Sequence, residues 1–480
     1  MDRHFETIFK EEMVKSKENN DVLSPQGPLG AGERIAGCRF PIRNLDKAAS
    51  FQRQNNRLGI VMVNLRFMGG THEVGRNAVL VDTNGSNLLL DYGVKIGEKP
   101  LFPGHIRAKD VDGIVVSHAH LDHSGGVPQF YLREAKPFFA TPVTTEVMRI
   151  LIRDMIKLSG YYLPFEYIEF EAMLKQRHDL AYGAPVKMKD LEFRLLDAGH
   201  IPGSAMVELT TGGKRILYTG DLNTENTRIC QGAKVPRKRF DAIVIESTYA
   251  NKDHPPRKQI EVEFVDAIKA VLHDEGKVLV PAFAVGRSQE MLSVMQAHKL
   301  NANKVVDGMA RAVNRIYMDH PDFMRTPQAF AKTINSTREM MGWRDRRTAV
   351  RRSNVMVAPS GMLQGGTAMF YMEKLALREE NAIFLVSFQV PGTGGAKLME
   401  TGFFTIKEMD VEVKAKVRHF DFSSHCGRSA LEAFIRGVKG KPDVYVVHGE
   451  PENCESLAQW ARDELDVNAA APQEGDEFTV

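Results

Sequence analysis

The stretch that decides the fold is Ser117-His118-Ala119-His120-Leu121-Asp122-His123-Ser124-Gly125-Gly126, which has three histidines and one aspartate within six residues. The apolar run 113–116 precedes it and predicts a buried strand, so these side chains lie on the loop that leaves the strand. Imidazole and carboxylate are ligands that zinc takes where cysteine is absent. Four such groups this close cannot easily all face one metal. The spacing predicts two neighbouring metal ions, with His118 and His120 on one, and Asp122 and His123 on the other.

Composition leaves the partner class open but narrows the type of protein. The chain has 480 residues, enough for two or three domains, and a formal net charge of +2 that neither requires nor excludes a nucleic-acid partner. Its four cysteines form no C-x-x-C pair, which argues against a disulfide scaffold and a cysteine-based zinc site. No apolar stretch approaches the ~18–20 residues that span a bilayer. The first residues lack the order of a signal peptide, so we expect a soluble, cytoplasmic protein without a membrane partner.

The pattern along the chain predicts one domain interrupted by another. Residues 1–58 are polar without a sustained period, which indicates a partly disordered extension or an accessory segment that touches RNA or a second subunit. Strands separated by glycine and asparagine turns, with interposed helices, then predict α/β layers over 59–250. A second α/β alternation without a histidine cluster follows over 251–416 and predicts a domain built on a parallel sheet. Histidine-bearing segments return over 417–480, so we expect 59–250 and 417–480 to form one metal-binding domain.

Four further residues of types that bind metals follow predicted strands. A lone histidine or aspartate at a strand end is more often structural than functional. Together, however, they supply what the first cluster lacks, since one metal needs a third histidine and the other needs one more ligand, and a carboxylate such as Asp221 can bridge both. The four positions are Asp91, His200, Asp221 and His448.

This ordered set resembles the metallo-β-lactamase superfamily. Glu246 in Glu246-Ser247-Thr248-Tyr249, His425 in Phe420-Asp421-Phe422-Ser423-Ser424-His425, and His448 in Val447-His448-Gly449-Glu450 resemble the three additional motifs of its β-CASP branch. Residues 281–290 and 391–395 also look like the inserted domain of that branch. The likeness covers residue 59 to the end of the chain. It is strongest to the RNA-processing members, namely the endonuclease subunit of the cleavage and polyadenylation specificity factor, its archaeal relatives and, more distantly, ribonuclease J.

The resemblance implies an α/β fold, a metallo-β-lactamase αββα sandwich interrupted by an inserted α/β β-CASP domain. It also implies two zinc ions and a role for each candidate residue. One zinc would be held by His118, His120 and His200. The other would be held by Asp122, His123 and His448. Asp221 would bridge the two ions, and Asp91 would orient a ligand histidine through a hydrogen bond.

The resemblance also implies an activity. Glu246 and His425 would form a dyad that protonates the leaving oxygen, and with Asp122 they are the expected catalytic residues. The final motif position is histidine in RNA-processing members and typically valine in DNA-repair members, so His448 favours single-stranded RNA as substrate. The resemblance leaves endonuclease and 5′→3′ exonuclease action open, and its prokaryotic members suggest a homodimer. The alternatives are a small-substrate hydrolase of the same superfamily, which would not need a long insert, and a non-catalytic RNA-processing scaffold, which would not need a complete ligand set.

Several residues outside these motifs carry weaker expectations. Arg287, Ser360 and Lys397 lie in glycine-bearing loops of the insert and are candidates for contact with the RNA backbone. Cys426, beside His425, is interpreted as a small buried side chain. We expect Ser423 or Ser424 to cap a helix that begins near residue 428, and the tail 472–480 to supply a terminal strand. Two basic clusters are interpreted first as solvated surface: Arg237, Lys238 and Arg239, and Arg344, Arg346, Arg347, Arg351 and Arg352.

Overall fold

The first of two large β-sheets contains the predicted strand before residue 117. The computed structural model describes residues 62–83, 85–97 and 99–480, so the expected extension 1–58 lies outside the described residues. The strand order is β22-β1-β2-β3-β4-β5-β6; the pairs from β22 to β3 are antiparallel and those from β3 to β6 are parallel. The strands are β1 (Val63–Gly69), β2 (Ala78–Thr83), β3 (Asn87–Leu90), β4 (Gly113–Val115), β5 (Phe138–Ala140), β6 (Arg177–Asp179) and β22 (Glu477–Thr479).

The second sheet combines residues from before and after the insert. Its order is β21-β20-β11-β10-β9-β8-β7, parallel from β21 to β10 and antiparallel from β10 to β7. The parallel pairing of β11 with β20 joins segments about 200 residues apart, which explains why the sequence looks like one interrupted domain. The strands are β7 (Val186–Met188), β8 (Leu191–Asp197), β9 (Ala205–Thr211), β10 (Lys214–Tyr218), β11 (Ala242–Glu246), β20 (Asp443–Val447) and β21 (Ala469–Ala470).

These two sheets pack face to face with helices on both outer faces. The shared core is made by alternating inward side chains such as Leu65 and Val81 of the first sheet and Phe193 and Ile216 of the second. The layering is the expected αββα sandwich. Helices on the first sheet are α1 (Leu121–Ser124), α2 (Pro142–Ser159) and α3 (Tyr167–Lys175), and those on the second are α11 (Arg428–Gly437) and α12 (Pro451–Leu465).

The insert is a third layered unit built on a parallel sheet, as expected. Its strand order is β14-β13-β15-β12-β16-β19, with a separate β17–β18 hairpin. The strands are β12 (Val278–Pro281), β13 (Lys304–Val306), β14 (Arg338–Glu339), β15 (Val355–Ala358), β16 (Ala382–Leu385), β17 (Phe403–Ile406), β18 (Met409–Glu412) and β19 (Lys416–His419). The helices are α4 (Arg257–His273), α5 (Arg287–Ala297), α6 (Ala310–Asp319), α7 (Pro327–Asn335), α8 (Trp343–Arg352), α9 (Ala368–Leu375) and α10 (Gly394–Thr401).

The C-terminal limit of the insert follows from its last strand. β19 pairs with β16 of the insert sheet, and the aromatic residues that follow it stay in the insert core. The rings of Phe420 and Phe422 each lie 5.3 Å from that of Phe264 on α4. We therefore propose that the insert runs from residue 251 to about 422, a few residues beyond the limit expected from the sequence. This packing anchors the segment that leads to His425.

Local signals explain several element ends. Helix α2 begins after Thr141, whose hydroxyl accepts from the Thr144 backbone N–H, and Pro142 occupies the first turn. The expected cap of α11 by Ser423 or Ser424 is wrong, because Gly427 is the N-cap and makes no side-chain cap hydrogen bond. Short 3₁₀ helices span Ala108–Asp110, Val127–Tyr131, Gly160–Tyr162 and Pro321–Phe323. None of the helices in the described ranges is long and apolar enough to cross a bilayer.

Candidate metal centre

The candidate site residues meet because each of them ends or follows a strand at one edge of the sandwich. The strands β3, β4, β8, β10, β11 and β20 all run toward this edge, so the loops at their carboxyl ends converge. The loop after β3 can pack against the loop after β4 because residue 93 is glycine; a Cβ there would lie 1.7 Å from the Asp122 carbonyl oxygen. The residues brought together are Asp91, His118, His120, Asp122, His123, His200, Asp221, Glu246 and His448, and His425 joins them from the segment after β19.

One group of ligand atoms consists of three imidazole nitrogens. His120 Nδ1 lies 3.0 Å from His118 Nε2 and 3.2 Å from His200 Nε2. Nitrogens bound to one tetrahedral zinc at ~2.0–2.1 Å are about 3.3 Å apart, so this triangle fits one ion. Asp221 Oδ2 completes the group at 3.4 Å from His118 Nε2 and 3.6 Å from His200 Nε2.

The second group lies on the other side of the Asp221 carboxylate. Asp221 Oδ1 is 3.1 Å from both His123 Nε2 and His448 Nδ1, and Asp122 Oδ2 is 3.4 Å from His448 Nε2. Asp221 thus presents one oxygen to each group of ligand atoms. Two groups of side chains that could each hold a metal ion therefore meet at one carboxylate.

Hydrogen bonds fix the orientation of the histidines. His123 Nδ1 donates to Asp91 Oδ2 at 2.7 Å, which turns Nε2 toward Asp221. His200 Nδ1 donates to the Ser424 carbonyl oxygen at 2.8 Å, which likewise leaves Nε2 facing the cluster. Asp91 is fully buried in the left-handed region with φ 57°, so the fold holds this carboxylate in a strained backbone position.

The electrostatics of the cluster suit a cation. Burial, followed by the neighbouring imidazoles, lowers the pKa of His118 and of His200, so both rings are neutral and able to ligate. Burial alone would raise the pKa of Asp221, but His123 and His448 hold that pKa well below its usual range. Asp221 Oδ1 and His448 Nε2 are buried, and their contacts with His123, His448 and Asp122 at 3.1–3.4 Å lack the geometry of hydrogen bonds. Because buried polar atoms are rarely left unpaired, the donor set fits metal ions at these positions.

Beside the cluster, Glu246 and His425 form a hydrogen-bonded pair. His425 Nδ1 lies 3.0 Å from both Glu246 oxygens, and the Leu222 backbone N–H donates to Glu246 Oε1 at 2.6 Å. His425 Nε2 then faces the cluster, 3.9 Å from Asp221 Oδ2. Burial lowers the pKa of His425, but the charges of Glu246 and Asp221 outweigh it and raise the pKa to about 9. The Glu246 carboxylate thus favours the protonated form of the ring.

The weaker expectations divide between the site and the surface. Burial raises the pKa of the Cys426 thiol to about 12, and the side chain is buried, as expected. Arg287 begins α5 and donates to Ser424 Oγ at 3.3 Å, directly beside the dyad. Lys397, on α10, donates a hydrogen bond from Nζ to Asp410 Oδ1 at 2.6 Å. Ser360 Oγ accepts from the Gln364 backbone N–H. Arg287 alone of these three insert residues contacts a neighbour of His425 in the described structure.

Four residues that support the site were not identified from the sequence. Ser117 donates to Asp91 through both its backbone N–H and its hydroxyl, and Tyr218 OH also donates to Asp91, each at 2.7 Å. Thr248 Oγ1 lies 3.2 Å from His448 Nδ1, and the Asn77 amide lies 3.1 Å from His123 Nε2. Their positions in or beside a motif or a buried strand are ordinary for structural residues, so only the three-dimensional contacts reveal them.

Comparisons with known proteins agree with this arrangement. Family models match residues 288–398 as a Beta-Casp domain, residues 410–472 as a Zn-dependent metallo-hydrolase RNA specificity domain, and residues 68–255 as the Anti-Pycsar protein Apyc1. The chain is 37% identical over 420 residues to a Saccharolobus solfataricus protein named RNase aCSPSF2, covering 87% of this chain and 85% of that protein. This chain belongs to the β-CASP branch of the metallo-β-lactamase nucleases.

Other relatives place the β-CASP chain in the same family and fold. It is 32% identical over 429 residues to a Methanocaldococcus jannaschii protein named Probable RNase MJ4, covering 86% of this chain and 99% of that protein. A crystal structure titled as a protein of unknown function from Enterococcus faecalis V583 matches with a TM-score of 0.56. That match covers 87% of this chain and all of the other at 14% identity, so it supports the fold alone.

Proposed function

We propose that this protein is a two-zinc ribonuclease that hydrolyses phosphodiester bonds of single-stranded RNA. The observation that carries the proposal is the Glu246–His425 pair, whose imidazole Nε2 faces a cluster that offers two adjacent cation positions. A hydrolase that cleaves a phosphodiester needs an activated water on one side of the phosphate and a proton for the leaving oxygen on the other. This site has groups suited to both tasks.

The ligand assignment follows the two groups of atoms. His118, His120 and His200 would hold one zinc, and Asp122, His123 and His448 the other. Asp221 would bridge them, and Asp91 would fix the His123 ring. When bound, the two ions would lower the pKa of water and neutralise charge on the phosphate.

The protein's own groups would supply the proton. Glu246 favours the protonated form of His425, whose Nε2 is the ring atom that faces the cluster. Glu246 accepts from Nδ1 and holds the ring in one orientation. A positioned general acid of this kind contributes roughly 10²–10⁴-fold to the rate.

RNA is favoured over a small substrate by the relatives and by the insert. The relatives described above carry the name RNase, and the model matching 410–472 is described as an RNA specificity domain. The insert contributes Arg287 beside the dyad, and Phe388 lies 6.1 Å from Tyr249, whose ring is 6.0 Å from that of His425. A basic and an aromatic side chain at the rim of the site suit a nucleotide strand. A cytoplasmic location and a homodimer complete the proposal; light scattering of the purified protein tests the dimer.

The deciding experiment offers one RNA sequence in linear and in circular form to the zinc-loaded protein. Wild type should cut, and His425→Ala should cut at least about 100-fold more slowly with unchanged zinc content. His273→Ala is the matched control, because its side chain is 90% exposed and lies outside the site. Cutting of the circle identifies an endonuclease, and cutting of the linear form alone identifies an exonuclease.

Two results would contradict the proposal. Turnover of a thioester or a lactam, without any turnover of RNA, would assign a small-substrate hydrolase. Failure to bind two zinc ions per chain, with RNA bound but not cut, would assign a non-catalytic scaffold.

A further inference from the structure

A second group of aromatic and basic side chains lies on the insert, away from the metal centre. Trp343, the first residue of α8, is 62% exposed. Its ring packs edge-to-face on Phe370 at 5.4 Å, and the Arg346 guanidinium lies 5.1 Å from its centroid. A pocket of about 380 Å³ opens beside the indole, with Phe404 and Ile406 in its wall. A large exposed indole in a supported position is costly unless it contacts something.

The sheet topology relates Trp343 to the catalytic site. All strands of the insert sheet are parallel, so their carboxyl ends share one edge. The segment after β19 leads to His425, and the segment after β14 leads to Trp343. These two strands lie at opposite ends of the sheet, five interstrand spacings of about 4.8 Å apart, or roughly 24 Å. Trp343 and the segment that leads to His425 therefore follow opposite ends of one sheet edge.

An exposed aromatic ring stands near each end of this edge. Phe388 follows β16, is 55% exposed, and reaches the dyad through the Tyr249 ring. Trp343 follows β14. Bases stack on exposed aromatic rings irrespective of sequence, because every base has a π-face. A single strand lying along the edge would meet a stacking ring at both ends.

The charges at the Trp343 end of this edge favour binding of a polyanion. Arg344 and Arg347, on the first turns of α8, are exposed, and neither guanidinium takes part in an ion pair with any described residue. Arg346 is used differently, since it donates to Asp307 at 2.8 and 3.2 Å and fixes the start of the helix. The one acidic side chain of α8, Asp345, accepts from the Met341 backbone N–H at 3.0 Å.

The five arginines that form one cluster in the sequence do not form one patch. The carbonyl oxygens of Arg351 and Arg352 accept from Lys277 and Asn303, which precede β12 and β13. The end of α8 therefore lies at the amino edge of the sheet, about 12 Å along the helix from Trp343. Only the arginines of the first turns lie at the carboxyl edge.

We propose that Trp343, Arg344 and Arg347 form a distal subsite for the same single-stranded RNA that enters the metal centre. One base stacks on the Trp343 indole, and the adjacent phosphates pair with the two arginines. A stacked strand advances about 3.4 Å per nucleotide, so roughly seven nucleotides span the edge, and fewer when the strand is extended. The subsite rests on the proposed ribonuclease function and adds length-dependent affinity to it.

The test compares RNA of 4 and of 20 nucleotides. Trp343→Ala should raise KM for the long RNA about 5- to 150-fold, the range for loss of one stacked base, and leave kcat and the short RNA unchanged. Trp343→Phe should restore most of the affinity. Tyr161→Ala is the matched control, because it removes an aromatic ring that is 94% exposed on the other domain. An unchanged KM for long RNA in Trp343→Ala overturns the subsite.

The arginines are tested by the salt dependence of RNA binding. Arg347→Ala should reduce the slope of log Kd against log salt by about one unit, as expected for one lost phosphate contact. Arg351→Ala, at the far end of the same helix, should not change it. Equal effects of the two substitutions would mean nonspecific attraction and would overturn the subsite.

Direct contact is read from fluorescence, because the chain contains only Trp343 and Trp460. In a Trp460→Phe background, long RNA should quench Trp343 emission and 4-nucleotide RNA should not. Unchanged emission at saturating long RNA, or quenching only by an acidic peptide, overturns the proposal. If wild type cuts RNA but the subsite tests fail, the proposed function stands alone. If wild type neither binds nor cuts RNA, both fail together.

Discussion

Replacing Asp91 by asparagine tests how the metal centre holds His123. The Asp91 carboxylate is fully buried and accepts four hydrogen bonds. Oδ1 accepts from the Ser117 backbone N–H, and Oδ2 accepts from Ser117 Oγ, Tyr218 OH and His123 Nδ1, each at 2.7 Å. Asparagine keeps the shape of the side chain but replaces one acceptor oxygen by a donor.

Both orientations of the amide disturb the site. If the NH₂ group takes the place of Oδ2, His123 must accept at Nδ1 and carry its proton on Nε2, the atom 3.1 Å from Asp221 Oδ1. If the NH₂ group takes the place of Oδ1, the buried Ser117 N–H loses its acceptor, at about 1–3 kcal/mol. We expect affinity for the ion of the Asp122–His123–His448 group to fall roughly 10- to 100-fold. That loss equals about 1.4–2.7 kcal/mol.

Zinc affinity is measured by competition with a chromogenic chelator, and metal content and RNA cleavage are followed on the same samples. Asp82→Asn is the matched control, because it makes the same chemical change at a half-buried position on the neighbouring strand β2. If Asp91→Asn retains two zinc ions with wild-type affinity and rate, the argument that Asp91 sets the tautomer and orientation of His123 is refuted.

Three further predictions follow from contacts in and near the site. Asp221→Asn should reduce bound zinc from two ions per chain to one or none, because each oxygen faces one ligand group; two ions by elemental analysis would contradict the bridge. Glu246→Gln should lower kcat about 10²–10⁴-fold with zinc content unchanged, because the His425 ring loses its carboxylate partner. The control variant Cys426→Ala should keep a kcat near that of wild type. A similar kcat in the two variants would contradict a catalytic role for the Glu246–His425 pair. Phe264→Ala should cost about 3–5 kcal/mol in urea unfolding, because its buried ring packs on Phe422; a loss below 1 kcal/mol would contradict that packing.

The agreement between sequence and structure is closest where a local pattern is enough. The strand-end positions of His118, His200 and His448 follow from apolar runs that end in a ligand-type residue. The parallel insert sheet follows from alternating strands and helices. The predicted serine cap of α11 was wrong, because a serine near a helix start can accept from a backbone N–H outside the helix. Ser423 Oγ accepts from the His425 N–H instead. A local motif does not specify which of several nearby donors a hydroxyl will meet.

The supporting contacts depend on chain segments far apart in sequence. Tyr218 and Asp91 are 127 residues apart, and no periodicity links them. The basic cluster 344–352 shows the same limit, because α8 is long enough to carry its two ends to opposite edges of the sheet. Residues that are neighbours in the sequence are therefore not neighbours on the surface.

The sequence by itself indicated the proposed chemistry of this protein, because the candidate metal ligands are histidines and aspartates that follow strand ends in a set order. It also predicted the interrupted domain, since the histidine motifs return after the insert. Only the tertiary structure decided how Asp221 divides its oxygens between two groups of side chains and how Glu246 meets His425. It also decided that Trp343 follows one end of the sheet edge whose other end leads to His425. These facts depend on the packing and strand order of three sheets. Such long-range geometry has no counterpart in local sequence patterns.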